Sequence, residues 1–276
     1  QAEDGIRDRS PSRGLGDVYK RQAYSILSEK LMTVYDSREA SIIARYILED
    51  VFNATFWSET EMSLDEINRL EEVTQRLLRH EPWQYIGGYA DFYGLKFKVN
   101  PSVLIPRPET EELVFVALDY IKHNDVKSLI DIGTGSGIIP ITIGVKAEQP
   151  LTLWGIDIST EALKTAQENA DLHDVYVELA EYNFLDSSLW DDLPKVDIVI
   201  SNPPYIGEVE QSEMPSNVLD YEPHIALFVR DDVMEFYEAI GEFVAKYQDE
   251  GCFVHSWIAT VISLASIPLS FKTEII

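Results

Sequence analysis

The feature that most constrains the fold is an apolar run followed at once by a glycine-rich segment. Residues 128–132 are typical of a buried strand, and residues 133–137 then open the next helix. Glycines allow the backbone to turn tightly and to approach a ligand closely. A second apolar run, residues 151–157, ends in Asp157, twenty residues after Gly137. From that position a carboxylate contacts ribose hydroxyls in a doubly wound sheet.

The spacing of these glycines separates two classes of ligand. The dinucleotide fingerprint G-x-G-x-x-G requires glycine at position 138, where this chain has isoleucine. The pattern that begins at Asp131 is D-x-G-x-G-x-G, which is typical of S-adenosylmethionine sites. A glycine loop alone is also compatible with a plain strand-to-helix turn. The correctly spaced Asp157 favours the cofactor site.

A second motif follows residues 196–201, another predicted buried strand, and consists of Asn202, Pro203, Pro204 and Tyr205. Two successive prolines cannot continue a strand, and they remove two N–H donors, so the backbone is stiff where the strand ends. Carbonyl and amide oxygens there suit a planar NH2 group, with the aromatic ring packed on its face. The motif therefore indicates chemistry on an amide or amino nitrogen. The alternative is a capped turn at Asn202 and a core aromatic at Tyr205.

The chain divides by composition into four segments. Residues 1–22 are polar, lack periodicity and carry a net charge of +1, so we interpret them as disordered and non-native. Residues 23–86 show helical spacing of apolar residues and are predicted to form a helical N-terminal domain, either a structural cap or a substrate-docking domain. Residues 87–107 are predicted to form a hairpin linker. Residues 108–276 are predicted to be the catalytic domain.

Strands and helices alternate in this last segment, which predicts an α/β fold with a doubly wound, mostly parallel sheet. The predicted strands centre on residues 130, 154, 176, 199 and 254. Ligands bind at the carboxyl ends of strands in such sheets, so the glycine loop and Asn202 are expected on one rim. In the N-terminal segment, Ser63 and Glu66 are predicted to form a capping box.

The net charge of −26, from 48 acidic and 22 basic residues, disfavours tight binding to a phosphate backbone. It indicates either solubility or a basic protein partner. The single cysteine, Cys252, excludes an internal disulfide framework, and the scattered histidines suggest no metal site. No signal peptide is visible, and the uncharged residues 253–271 are better explained as a buried strand followed by a helix. We expect a cytoplasmic monomer with no membrane or direct nucleic-acid contact.

The chain resembles the bacterial peptide chain release factor N(5)-glutamine methyltransferases (the HemK/PrmC type) from about residue 25 to residue 243. Besides the asparagine-proline-proline-tyrosine motif, four segments carry the resemblance: PWQYIGG at 82–88, FYG at 92–94, VLIPRPETE at 103–111, and YEP with ALF at 221–228. The C-terminus departs from the family, because residues 251–257 replace a strand that begins with a glycine pair. A truncated or atypical C-terminus would explain this, and residues 271–276 are a candidate for the beginning of the last strand.

The resemblance implies a class I methyltransferase domain behind a helical N-terminal domain. It also implies methyl transfer from S-adenosylmethionine to the glutamine of the GGQ motif in release factors. The residues implied to bind the cofactor are Gly133, Thr134, Gly135, Ser136, Gly137, Asp157, Asn183 and Asn202. The residues implied to be catalytic are Asn202, Pro203, Pro204 and Tyr205.

For the substrate amide, we expect the Asn202 side-chain oxygen and the Pro203 carbonyl to accept its two hydrogens, with Tyr205 packed on its plane. Arg107, Glu109 and Glu111 are expected either near this rim or as a helix N-terminus with a surface ion pair. One alternative function is an N(6)-adenine nucleic-acid methyltransferase, which uses a similar motif on a flipped base. Another is a copy that binds the cofactor but is inactive because its C-terminus is atypical.

Overall fold

A computed structural model describes residues 20–54, 61–207, 211, 214–229, 232–249 and 252–256. The chain forms two compact units, Gln1–Gly87 and Gly88–Ile276. Three predicted features lie outside the described residues: most of the segment interpreted as disordered, the helix expected after residue 256, and the strand expected at 271–276.

The described residues of the first unit form four helices: α1 (Lys20–Leu31), α2 (Ser37–Phe52), α3 (Leu64–Leu77) and α4 (Trp83–Gly87). The capping box predicted for Ser63 and Glu66 is present at the start of α3. That helix ends at Leu77, and Pro82 then precedes the short α4. Because α1 begins at Lys20, the helical part of the chain starts three residues before the predicted boundary at residue 23.

The second unit opens with an antiparallel hairpin, β1 (Tyr89–Phe92) and β2 (Leu95–Lys98). Its turn residues, Tyr93 and Gly94, have φ values of 51° and 73°. Two positive φ values are characteristic of the type I′ turn, whose twist matches that of the flanking strands. Phe92 and Phe97 of the hairpin are buried in the core of this unit. The hairpin assigned to a linker in the sequence therefore contributes to this core.

A five-stranded parallel sheet organises the rest of the unit, in the order β5-β4-β3-β6-β9. Its strands are β3 (Ser128–Ile132), β4 (Thr152–Asp157), β5 (Glu178–Glu181), β6 (Ile198–Ser201) and β9 (Phe253–Ser256). The longer helices are α5 (Thr110–His123), α6 (Ile138–Lys146), α7 (Thr160–His173) and α10 (Glu235–Tyr247). Shorter elements are a 3-10 helix (Ser187–Asp192), β7 (Ile206–Gly207), α8 (Ser216–Tyr221), α9 (His224–Leu227) and β8 (Phe228–Val229).

The sheet is covered on both faces, as parallel sheets are. One face packs Leu129 and Ile198 against α5 and α6. The other face packs Ile130 and Val199 against residues of α10 such as Phe243. Among the described residues, no helix combines the length and the apolar character that crossing a membrane requires.

The strands β4 and β5 follow one another on one side of β3, and β6 and β9 lie on its other side. The crevice between β3 and β6 is therefore the topological switch point, where ligands bind in such sheets. Ile132 of β3 lies directly opposite Ser201 of β6. The Ser201 hydroxyl also donates a hydrogen bond to the Ile132 carbonyl, at 2.7 Å. The next residues, Gly133 and Asn202, therefore leave the sheet from neighbouring positions on one rim.

The third predicted strand was placed too early. It was centred on residue 176, whereas β5 spans Glu178–Glu181 and Tyr176 is 78% exposed. The reason is that α7 continues to His173 and ends at Asp174, whose φ of 52° is left-handed. The chain then uses residues 175–177 to return to the sheet.

Candidate active site

The glycine loop after β3 has a backbone that side chains would disfavour. Gly133, Gly135 and Gly137 have φ values of 73°, 55° and 77°. A Cβ atom at Gly133 or Gly135 would meet no atom of the described residues within 4 Å, whereas one at Gly137 would lie 2.8 Å from Cδ1 of Ile141. The first two glycines therefore leave open space beside the backbone, and the third allows the start of α6 to pack closely.

Asp157, at the end of β4, supports this loop. Its Oδ2 accepts a hydrogen bond from the Gly135 N–H at 2.8 Å, and its Oδ1 accepts one from the Ser159 N–H at 2.9 Å. Burial raises the pKa of Asp157. Each carboxylate oxygen can accept more than one hydrogen bond, so this group can still bind ribose hydroxyls.

Asn169 on α7 is a second support that the sequence analysis missed. This residue is fully buried, and its Nδ2 donates to the Ser136 carbonyl at 2.9 Å. Its side chain also exchanges two hydrogen bonds with the backbone of Lys98, at 2.7 and 3.0 Å. An asparagine inside an amphipathic helix gives no sequence signal for this role, because both partners lie far away in the chain.

A cavity of about 500 Å³ lies over this rim. That volume falls within the ~300–1,000 Å³ of typical small-molecule sites. It is bordered by the glycine loop, the end of β4, the residues after β5, the residues after β6 and a segment before α5, and also by residues of α9, β8 and the start of α10. The predicted cofactor residues on its wall are Gly133, Thr134, Gly135, Ser136, Asp157, Asn183 and Asn202. Asn183 is exposed there, beside the half-buried Tyr182.

The four residues after β6 do not all face this cavity. Asn202 and Pro204 border it, whereas Pro203 is buried. Tyr205 is 38% exposed and is not among the bordering residues that the structure describes. Burial raises the pKa of Tyr237 on α10 to about 12, and the Tyr205 hydroxyl adds to that effect.

Asn202 is held by a residue from another part of the chain. Its Nδ2 donates a hydrogen bond to Oγ1 of Thr110, the first residue of α5, at 3.1 Å. Thr110 also borders the cavity. Within the part of the chain that the structure describes, no donor contacts Oδ1 of Asn202. The amide oxygen can therefore accept a hydrogen bond from a ligand.

The segment before α5 is fixed by a buried carboxylate. Glu222 is 4% exposed and accepts hydrogen bonds from Arg107 Nη2 at 2.6 Å and from the Ile105 N–H at 3.2 Å. Arg107 borders the cavity, whereas Glu109 is exposed. Glu111 accepts a hydrogen bond from the Tyr93 N–H, at 2.7 Å, and so contacts the hairpin.

Asp131, the first residue of the D-x-G-x-G-x-G motif, is a buried acid that the sequence alone did not assign to the cofactor site. It is fully buried in β3, and neither carboxylate oxygen has a hydrogen-bond partner in the described residues. Burial raises its pKa to about 7; the nearby Thr134 hydroxyl opposes that shift, and the Asp157 carboxylate adds to it. The signal for it was the first acid of D-x-G-x-G-x-G.

Two family models match the chain. The Methyltransferase small domain matches residues 114–219, and the PrmC N-terminal domain matches residues 22–88. The curated relatives include proteins named release factor glutamine methyltransferase. The one from Flavobacterium psychrophilum is 40% identical over 79% of this chain and 79% of its own length. Those from Bacteroides thetaiotaomicron and Streptococcus pneumoniae are each 38% identical, over 78% and 83% of this chain and over 78% and 82% of their own lengths.

The chain belongs to the release factor glutamine methyltransferase family. This confirms the resemblance on which the sequence analysis relied. The predicted class I methyltransferase fold is confirmed by the parallel sheet and by the two family models. Family membership also confirms the assignment as an enzyme dependent on S-adenosylmethionine.

Proposed function

We propose that this chain transfers a methyl group from S-adenosylmethionine to the side-chain amide nitrogen of the glutamine in the GGQ motif of release factors. The observation that carries the proposal is the position of Asn202. Asn202 borders the same cavity as the glycine loop, on a proline-stiffened backbone, and its amide oxygen accepts no hydrogen bond from the described residues. The names of the family's curated members support the substrate class.

The residues present fit the cofactor. The open space beside Gly133 and Gly135 admits the amino-acid part close to the backbone, and Asp157 offers carboxylate oxygens to the ribose. Asn183 and Tyr182 border the same cavity after β5, where the family resemblance implies that the adenine lies. Bound there, S-adenosylmethionine supplies a methyl group that is already strongly electrophilic.

The chain's own contribution is to orient a poor nucleophile. An amide nitrogen reacts badly because its lone pair is delocalised into the carbonyl. Acceptors at the Asn202 side-chain oxygen and the Pro203 carbonyl would bind the two hydrogens of the glutamine NH2 group and fix its rotation. Fixed acceptors also stabilise the positive charge that develops on nitrogen, and they need no reorganisation when it does. No strong base is needed, because the proton leaves after the transfer.

The roles of the other three motif residues follow from where they lie. Pro204 borders the cavity, and we propose that it stiffens the backbone there. Pro203 is buried, so its ring stiffens the corner from beneath, and only its carbonyl is proposed to reach the substrate. Tyr205 is exposed and is therefore accessible to pack on the amide plane of an entering glutamine.

Mass spectrometry of intact release factor, after incubation with this protein and S-adenosylmethionine, tests the proposal. We expect one added methyl group on the GGQ glutamine. Asn202→Ala should lower kcat by about 10²–10³, as does the loss of one preorganised group in an oxyanion hole. Methylation by this variant at the parent rate would refute the role of Asn202, and an unmodified glutamine with the parent protein would refute the function.

The proposed partner is the release factor itself. We propose that this protein binds it as a monomer in the cytoplasm, where translation ends. The adenine alternative is not favoured, because the curated relatives are named for glutamine methylation and the net charge of −26 repels nucleic acid. A parallel assay with DNA in place of release factor separates the two substrates.

A further inference from the structure

We propose that Thr110 is a positioning residue for methyl transfer, because its hydroxyl sets the orientation of the Asn202 amide. This inference rests on the proposed function. The hydrogen bond from Asn202 Nδ2 to Thr110 Oγ1 is 3.1 Å long and joins residues 92 positions apart in the chain. It connects the start of α5 to the end of β6.

The terminal torsion of an asparagine side chain is broad, so an unsupported amide turns easily. The only hydrogen bond that the Asn202 side chain makes with the described residues is the one that it donates to Thr110. With Nδ2 held by that hydroxyl, the oxygen at the other side of the amide plane is left for the substrate. The hydroxyl therefore prepares the acceptor before the substrate arrives, which is how positioning groups lower a barrier.

Thr110 can do this because it is itself fixed. Its side chain is buried, with 3% exposure, and its N–H donates to the Arg107 carbonyl at 3.0 Å. Arg107 is in turn bound by the buried Glu222, which also accepts from the Ile105 N–H. The segment that carries Thr110 is thus anchored independently of Asn202, as a positioning device requires.

The test compares Thr110→Val, which keeps the shape but removes the acceptor, with Thr110→Ser, which keeps the hydroxyl. Thr142→Val is the matched control, since Thr142 is buried in α6 and its hydroxyl has no partner among the described residues. We expect Thr110→Val to lower kcat for release factor about tenfold, the size of one hydrogen bond. Thr110→Ser should restore most of it, and Thr142→Val should match the parent.

Binding and spectroscopy separate positioning from damage to the fold. The affinity for S-adenosylmethionine, measured by calorimetry, should be the same in the parent and Thr110→Val. The ¹⁵N-labelled side-chain NH2 resonances of Asn202, assigned by their loss in Asn202→Asp, should shift in Thr110→Val and stay in place in Thr142→Val. This readout needs no turnover, so it tests the contact even if the parent methylates nothing.

Three results would overturn the inference: an unchanged kcat in Thr110→Val, an unshifted Asn202 resonance in that variant, or an equal loss of kcat in Thr110→Ser. A parent protein that leaves release factor unmodified would instead refute the proposed function, and Thr110 would then have no methyl transfer to assist.

Discussion

At the scale of single residues, Asp131 stands out as an ionisable side chain in a fully buried environment. It is a carboxyl group buried in the middle of a parallel sheet, and its oxygens form no hydrogen bond of normal geometry with the described residues, although the Thr134 hydroxyl is nearby. Burial of this kind disfavours the charged form, which is why its pKa rises to about 7 from an ordinary value of 3.8. The folded protein consequently keeps a proton there over a range of pH in which the unfolded chain has lost it.

This difference predicts how stability depends on pH. Between about pH 4 and pH 7 the folded state binds one proton more than the unfolded state. The free energy of unfolding should therefore fall as pH rises, by up to about 1.4 kcal/mol per pH unit from this group. Asp131→Asn cannot ionise and lacks this contribution. Urea denaturation at about pH 5 and about pH 8 should show the variant gaining stability relative to the parent as pH rises.

A constant difference between the two proteins across that range would mean that Asp131 ionises normally in the folded state. Asp157, whose pKa burial also raises, is present in both proteins, so its own contribution largely cancels in the comparison.

At the scale of elements, two glycines with equal free space but opposite backbone conformations make a matched pair. Gly94 in the hairpin turn has a φ of 73°, and Gly241 lies inside the helix α10. A Cβ at either position would meet no atom of the described residues within 4 Å. Gly94→Ala should lower the free energy of unfolding by about 1–2 kcal/mol, because a left-handed backbone disfavours a side chain. Gly241→Ala should raise it by about 0.5–1 kcal/mol through helix propensity. Chemical denaturation of both variants measures this.

Effects of the same sign in the two variants would show that local space, rather than backbone conformation, decides the outcome. Neither new methyl group would clash with the described residues, so repacking of neighbouring side chains does not obscure the comparison.

The elements also show which parts of the fold and of the site can be predicted from the sequence. The glycine loop and the residues after β6 were predictable on one rim, because parallel strands that end beside each other bring their next residues together. The contacts that fix the site were not predictable from the sequence. Thr110 and Asn202 are 92 positions apart, and Arg107 and Glu222 are 115 positions apart. Such pairs depend on how helices dock on the sheet, which periodicity does not encode. The start of β5 was misplaced because nothing in the pattern marks Asp174 as left-handed.

At the scale of the whole molecule, the dominant property is a net charge of −26. Charge of this size creates a long-range field that attracts a partner of opposite sign and repels nucleic acid. If the charge only keeps the protein soluble, a change in ionic strength should not alter the rate at which the protein encounters its substrate. A role in steering predicts that the encounter depends on ionic strength, since the screening length falls from about 30 Å at 0.01 M salt to about 10 Å at 0.1 M.

Methyl transfer measured at limiting release factor, from about 0.02 M to about 0.5 M salt, distinguishes these roles. If the acidic surface steers a basic face of the partner, kcat/KM for release factor should fall steeply with salt, because steering acts on the association rate. The kcat at saturating release factor should change far less, because the acceptors at Asn202 lie in a cavity wall that salt screens weakly. A kcat/KM that is independent of salt would leave solubility as the role of the charge.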